Sequence, residues 1–405
     1  MVHFGERDLV GLVLVLAGIV LAVVGCFARR GAPSPSAWSV CSLGFALAGL
    51  YNHAWAITFW PPLVVTAIAV TVMIVTRRRN GLWRTAAVVA VGSGLATLIT
   101  AVMIGPGDVD VYDIVQRGTE RFLHGANPYT LVLASTGYTF SYGPAVLLLS
   151  APARLLGDVR IMSIVALLLT ATAAMRLARR SAWASDDRLR LLVVCAALPL
   201  SAGIVHDSFV DVYLVASVTL WLLIRRAHPG WGAVCLGVAL AAKPTVAIAL
   251  VPAVLWLPAA RREAAWAMAV ALALILPFAV WTGPEALYHA VIGVEVNNPP
   301  RTDTMSLDAI LSSIGRPFAP WWIWPAVTSA VGLPLLARRP HDWADLIGVA
   351  AVLSAVGLFF AKWAPFNYWF LPVVLLVLAL PLQGSLLEPR VEVATGHRTA
   401  RVSAA

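Results

Sequence analysis

Long apolar runs, most of them closed by a short cluster of arginines, dominate this sequence. A backbone crossing hydrocarbon must satisfy its own hydrogen bonds, and about 20 apolar residues do so as a helix spanning roughly 30 Å. Candidate spans fall near 8–27, 38–53, 59–76, 85–104, 161–178, 190–205, 209–224, 231–243, 246–258, 264–281, 321–337, 344–361 and 366–383. Such a series predicts an all-α polytopic membrane protein, a bundle of about 11–13 transmembrane helices. Charged residues make up only 12% of the chain, half of what a soluble domain of about 25% carries, so a soluble fold is excluded. Cys26, Cys41, Cys195 and Cys235 all lie inside apolar runs with neither disulfide nor zinc spacing, and read as small buried hydrophobes. The first run has Glu6 and Asp8 before it and Arg29-Arg30 after it without a small-residue cleavage site, so it reads as a span rather than a signal peptide.

The arginines orient the chain. Arg29-Arg30, Arg77 to Arg84, Arg176 to Arg190, Arg225-Arg226, Arg261-Arg262, Arg338-Arg339 and the tail arginines fall on one side, which the positive-inside rule makes cytoplasmic. Most of the acids fall on the other. The net charge of +9 therefore reflects topology and not a nucleic-acid footprint, and no nucleic-acid partner is expected. The expected organisation is N-terminal spans over 1–104, an outer loop over 105–160, central spans over 161–281, a second outer loop over 282–320, C-terminal spans over 321–383 and a cytoplasmic tail over 384–405. No soluble domain and no internal repeat is evident.

The first outer loop carries the densest polar pattern. Asp108, Asp110 and Asp113 follow the turn at Gly105-Pro106-Gly107. Onward, Val111, Val115, Thr119 and Phe122 form one apolar stripe at helical spacing, widened by Ile114 and Leu123. Asp110, Asp113, Arg117, Glu120 and His124 line the opposite face. This predicts an amphipathic helix of about fifteen residues lying at the interface, ended by Gly125 and Asn127-Pro128. Gly143-Pro144 then opens a short apolar helix over 145–156. Three carboxylates at a membrane exit suit a general base, which must be held beside a desolvated reaction site. They equally suit a solvated face, with Asp113 and Arg117 an ordinary i,i+4 pair. Asp108-x-Asp110 offers the oxygen ligands a divalent ion takes; two acids alone are weak evidence for one, so no cofactor is expected and a divalent metal stays as the alternative.

The ordered series Gln116-Arg117-Gly118-Thr119-Glu120-Arg121-Phe122-Leu123-His124-Gly125, Asn127-Pro128-Tyr129, Phe140-Ser141-Tyr142-Gly143-Pro144 and Gly237-Val238-Ala239-Leu240-Ala241-Ala242-Lys243-Pro244 resembles polyprenyl-phosphate-dependent glycosyltransferases of the GT-C superfamily, in particular the family 87 (DUF2029-like) mannosyltransferase type. The resemblance covers roughly 100–380, and its motifs are diffuse. It implies a GT-C-like bundle with outer-face loop helices and an inverting transfer of a sugar, mannose on the resemblance, from a polyprenyl-phosphate donor to an envelope glycolipid or polysaccharide. An acid of the first large outer loop acts as base there, a role that falls on Asp110 with Asp108 second. Asp113, Arg117, Asn127, Tyr129 and Tyr142 become substrate-binding candidates in the same loop. This chain departs from the pattern in two ways: about three spans precede the loop where the superfamily usually has one, and Gly143 stands where an aromatic-Tyr-Pro-Pro stretch commonly has Pro.

Charges at the expected outer edge complete the candidate set. Lys243 and Lys362 are the only lysines in the chain. Lys243-Pro244 falls at the apex of a short helical hairpin, because cytoplasmic arginines bound the segment on both sides. A cation near the interface needs a partner, and a lipid phosphate is a natural one, against snorkelling to headgroups. His206, Asp207 and Asp211 lie where the sixth and seventh spans meet. Asp207 and Asp211 are expected to share a helix face, with sugar hydroxyls or Lys243 as partners for Asp211. Arg301, in Glu295-Val296-Asn297-Asn298-Pro299-Pro300-Arg301, is a second phosphate candidate, since guanidinium geometry fits phosphate. Trp321, Trp322, Trp324, Trp363 and Trp369 read mostly as interfacial belt residues. A lipid or lipid-linked sugar transporter is the competing reading, with Asp211 and Lys243 lining a pathway. A structural envelope subunit is the third.

Overall fold

The computed structural model describes residues 98–103, 110–134, 137–180, 199–294, 306–320, 322–361 and 366–379, with a few isolated positions besides. The described residues are helical with no strand, save one isolated bridge between Val132 and Thr139. The helices are α1 (Asp110–Leu123), α2 (Pro144–Leu155), α3 (Arg160–Arg180), α4 (Pro199–His206), α5 (Asp211–Ile224), α6 (Pro229–Ala242), α7 (Val246–Trp256), α8 (Pro258–Thr282), α9 (Pro284–Tyr288), α10 (Leu307–Ser313), α11 (Ile323–Ala337), α12 (Trp343–Phe360) and α13 (Phe370–Ala379). Three of them, α3, α8 and α12, are long and apolar enough to cross a membrane, and several others are shorter and equally apolar. Expectations for the N-terminal spans near 8–76 and for the tail, like those for Asp108, Arg301 and Lys362, lie outside the described residues.

Polar ties at the helix ends set the relative directions. Arg180, at the end of α3, donates to Leu223 O near the end of α5, so these two helices run parallel. Glu263, in the first turns of α8, accepts from Arg225 at the end of α5 at 3.0 Å and from Trp221 Nε1 at 2.7 Å. The Arg225 guanidinium also lies 5.0 Å from the ring of Trp343, the first residue of α12. One end of the bundle thus holds Arg180, Arg225, Glu263 and Trp343. The other holds the starts of α3 and α5 and the ends of α6, α8 and α12.

The Arg225–Glu263 pair is almost fully buried, each charge satisfied by the other and by Trp221. Removing one member of such a pair costs about 3–5 kcal/mol, because the remaining charge stays in low dielectric without compensation. Glu263→Ala is therefore expected to lower the melting temperature sharply in detergent.

Helix α6 packs closely along α8. A Cβ on Gly237 would stand 2.6 Å from Val270 Cβ and 2.7 Å from Ala267 O, so only glycine allows the two backbones to approach this far. Helix α5 lies between α6 and α3 and is buried on all sides, which explains its uniformly apolar sequence. Lys243 ends α6 in extended conformation, and α7 returns after Pro244 to pack mainly against α12.

Two expectations are corrected here. Asp207 and Asp211 do not share a helix: α4 ends at His206, and Ser208 takes a positive φ of 58°, outside the helical region, before α5 begins. Trp369 is no belt residue but is buried at 2% exposure, whereas Trp322 is exposed.

Candidate functional site

Helix α1 buries Val111, Ile114, Val115, Gly118 and Thr119 and turns Asp113, Arg117 and His124 toward the other side. Gly118, rather than Leu123, completes the stripe. A Cβ there would lie 2.5 Å from the Phe140 ring, and Leu123 is exposed. Asp110 opens the helix and Asp113 closes its first turn, both half-exposed and placed where carboxylates favour the helix dipole. Asp113 stands 3.9 Å from Arg117, an exposed pair of little energetic weight. Glu120 pairs with Arg154 of α2 at 3.0 Å.

The segment after α1 is built around Asn127. Its Oδ1 accepts from Tyr129 N at 2.9 Å and from Thr282 Oγ1, at the end of α8, at 3.2 Å. Its carbonyl takes Arg121 Nε at 3.2 Å. Tyr129 is buried, edge-on to Phe140 and Phe278, and donates its hydroxyl to Tyr142 O at 3.1 Å. Burial pushes that hydroxyl's pKa well above its ordinary value, which keeps it a neutral donor. Asn127 and Tyr129 therefore shape the loop, and Tyr142 joins the same aromatic stack through Phe140.

Gly143 joins this loop to the bundle. Its N–H donates to Ala242 O at 3.0 Å, and a Cβ at this position would sit 1.9 Å from Ala241 O. Loop and helix end are in backbone contact, and Lys243 is the next residue. That contact gives a physical reason for the departure at Gly143, since proline would supply the clash and remove the donor. Gly143→Ala is accordingly expected to push the loop off α6 and lower thermal stability by about 1–3 kcal/mol, as overpacking does. Gly143→Pro should cost more, and differential scanning fluorimetry of the purified variants checks the order.

Lys243 and Asp211 meet at 3.2 Å, both buried. Asn367 Nδ2 donates to the second Asp211 oxygen, and the Lys243 ammonium lies 3.2 Å from the centre of the Tyr368 ring. Three elements distant in sequence, the start of α5, the end of α6 and the turn 366–369 before α13, converge on one buried charge pair. Asn367 Oδ1 and Ser208 Oγ, also buried, have no hydrogen-bond partner among the described residues. His206 Nδ1 donates to Ala101 O at 3.0 Å, and Asp207 is fully buried beside it in sequence. Of the candidates read from sequence, Asp211 and Lys243 are thus in direct contact, and Asn127, Tyr129 and Tyr142 form one loop unit. Asp113 and Arg117 pair only with each other among the contacts described.

No family model, curated protein or solved structure matches this chain. Among the described residues no three His, Cys, Asp or Glu side chains converge as a metal site requires.

Sequence reasoning passed over Asn367, Tyr368 and Arg160. Arg160 is 4% exposed, forks onto Asp158 at 2.6–3.0 Å and donates Nη1 to Ala101 O and Gly105 O. The Asn367-Tyr368 pair carried a faint signal, as polar residues inside an otherwise apolar C-terminal run. Arg160, just ahead of the apolar run of α3, looked like any loop arginine.

Proposed function

We propose that this chain is an integral membrane glycosyltransferase that moves a sugar, mannose on the resemblance, from a polyprenyl phosphate to an envelope glycolipid or polysaccharide on the outer face. The observation that carries the reading is the junction at Gly143. It makes the acid-bearing loop and the buried Asp211–Lys243 pair parts of one end of the molecule. In a single inverting displacement, Asp110 accepts the proton of the acceptor hydroxyl as that oxygen bonds to the sugar's anomeric carbon. The bond from that carbon to phosphate oxygen breaks, and the polyprenyl phosphate leaves with the electron pair. Charge develops mainly on the leaving phosphate, so stabilising it lowers the barrier more than proton removal does. Lys243 gives one N–H to Asp211 and turns toward Tyr368, and in this reading directs its remaining donor at the phosphate, with Arg301 supplying further charge. Asn367 Oδ1 and Ser208 Oγ offer acceptors for sugar hydroxyls.

The test uses purified protein in detergent, radiolabelled polyprenyl-phosphate mannose, an envelope glycolipid acceptor, and EDTA as a variable. Transfer with inversion at the anomeric carbon is expected, and its response to EDTA decides whether a divalent ion takes part. A closed, neutralised Asp–Lys pair inside a bundle is also what a carrier can use as a gate. Movement of the lipid-linked sugar across vesicles without transfer, for mannose and arabinose donors alike, would favour that second reading.

A further inference from the structure

The short segment 157–160 between α2 and α3 touches the acid-bearing helix from two directions. Gln116 of α1 donates Nε2 to Gly157 O at 2.9 Å and accepts the Val159 N–H on Oε1 at 3.1 Å, so its amide is used at both ends. One turn earlier on the same face, the Tyr112 ring lies under the Arg160 guanidinium at 4.8 Å. Burial, and then the Asp158 carboxylate, raises the Tyr112 pKa above its ordinary value and keeps it neutral against that cation. Arg160 also reaches the preceding chain, through Nη1 to Ala101 O at 3.1 Å and Gly105 O at 2.8 Å. Its other nitrogens are committed to Asp158, whose carboxylate also caps the Arg160 N–H at 2.8 Å. One guanidinium therefore joins the chain at 101–105 to the first turn of α1. Asp110 lies between those two anchor points.

The geometry points to Arg160 as a positioning residue for Asp110, acting with Asp158 and Gln116 and touching no substrate itself. The work requires arginine. A planar fork binds a carboxylate with two edges, reaches two carbonyls with a third nitrogen and stacks on a ring, whereas a lysine ammonium has three donors at one point and no plane. The Asp158 charge offsets the cation, so the group fixes position without adding net charge beside the base. The positioning role rests on Asp110 being the base, while the tether itself does not.

Two variants test it, Arg160→Lys, which keeps the charge and loses the fork, and Gln116→Ala, which removes one anchor from a half-buried position. In hydrogen–deuterium exchange of the full-length protein in detergent, peptides of α1 should exchange at least ~10-fold faster in Arg160→Lys, with α5 and α12 at wild-type rates, because the opening is local. In the mannose-transfer assay kcat should fall roughly 10–100-fold with KM for the donor within about twofold, as a displaced base loses transition-state geometry and not binding. Gln116→Ala should show the same pattern at smaller size. Wild-type exchange in α1 for both variants overturns the tether. Faster exchange with unchanged kcat overturns the positioning role alone. Full turnover in Asp110→Asn removes the base itself and leaves the exchange result standing.

Discussion

Asp110→Asn is expected to reduce sugar transfer by about 10²–10⁴-fold, the contribution a positioned general base makes. The substitution is nearly isosteric. It keeps a polar side chain in the first turn of α1 and gives up only the carboxylate's interaction with the helix dipole, so the loss of stability should stay under about 1 kcal/mol. Donor binding should persist, because the phosphate contacts in this reading lie on Lys243 and Arg301. The defect then falls on kcat with KM little changed, the signature of an interaction made only in the transition state. Equilibrium binding of radiolabelled polyprenyl-phosphate mannose, run beside the transfer assay, separates the two. Asp108→Asn serves as the companion variant: wild-type turnover in Asp110→Asn with loss in Asp108→Asn moves the base by two residues. Asp113→Asn should change turnover by no more than a few-fold, since Asp113 holds only an exposed partner at 3.9 Å.

Local pattern carried the helices and not the contacts between them. Apolar length located α3, α8 and α12 because a span must satisfy its own backbone, a demand written into consecutive residues. The stripe of α1 was legible for the same reason, with Gly118 missed because a glycine carries no hydropathy signal for the Phe140 ring that lies over it. A lone Lys243 or Asp211 in apolar sequence announces that a partner is required, and Lys243 was one candidate for Asp211, but nothing in either neighbourhood points to Asn367 and Tyr368, over 120 residues further on. Glu263, beside Arg261-Arg262, had the look of a cytoplasmic surface charge. Only packing shows it buried under Arg225 and Trp221. The break at Ser208 was hidden too, since serine at positive φ is uncommon and His206 to Asp211 contains no glycine or proline. Gly143 is the reverse case: an apparent departure from a proline pattern that the backbone contact with Ala241 and Ala242 accounts for.

Removing the Lys243 side chain should be the most destabilising single change at the site. In Lys243→Ala the Asp211 carboxylate stays buried at 2% exposure with the Asn367 amide as its remaining described partner. Losing one member of a buried pair costs about 3–5 kcal/mol, a large share of a marginal stability. Asp211→Asn should cost less, because the ammonium it strands keeps the face of Tyr368, and a desolvated cation–π contact is worth about 2 kcal/mol. The informative variant is the double one, Asp211→Leu with Lys243→Met. Two apolar side chains of similar volume remove both charges and their desolvation cost but strand the buried Asn367 amide, which costs about 1–3 kcal/mol, so stability should return to within about 3 kcal/mol of wild type. The two single losses will therefore not add, and a double-mutant cycle read by thermal unfolding in detergent gives their coupling. Transfer follows another course, since no apolar pair supplies a donor to a departing phosphate or an acceptor to a sugar hydroxyl. The double variant should be folded and inactive. A folded double variant with wild-type turnover would show the pair to be structural only, and a Lys243→Ala protein as stable as wild type would mean that Asp211 does not depend on Lys243 at all.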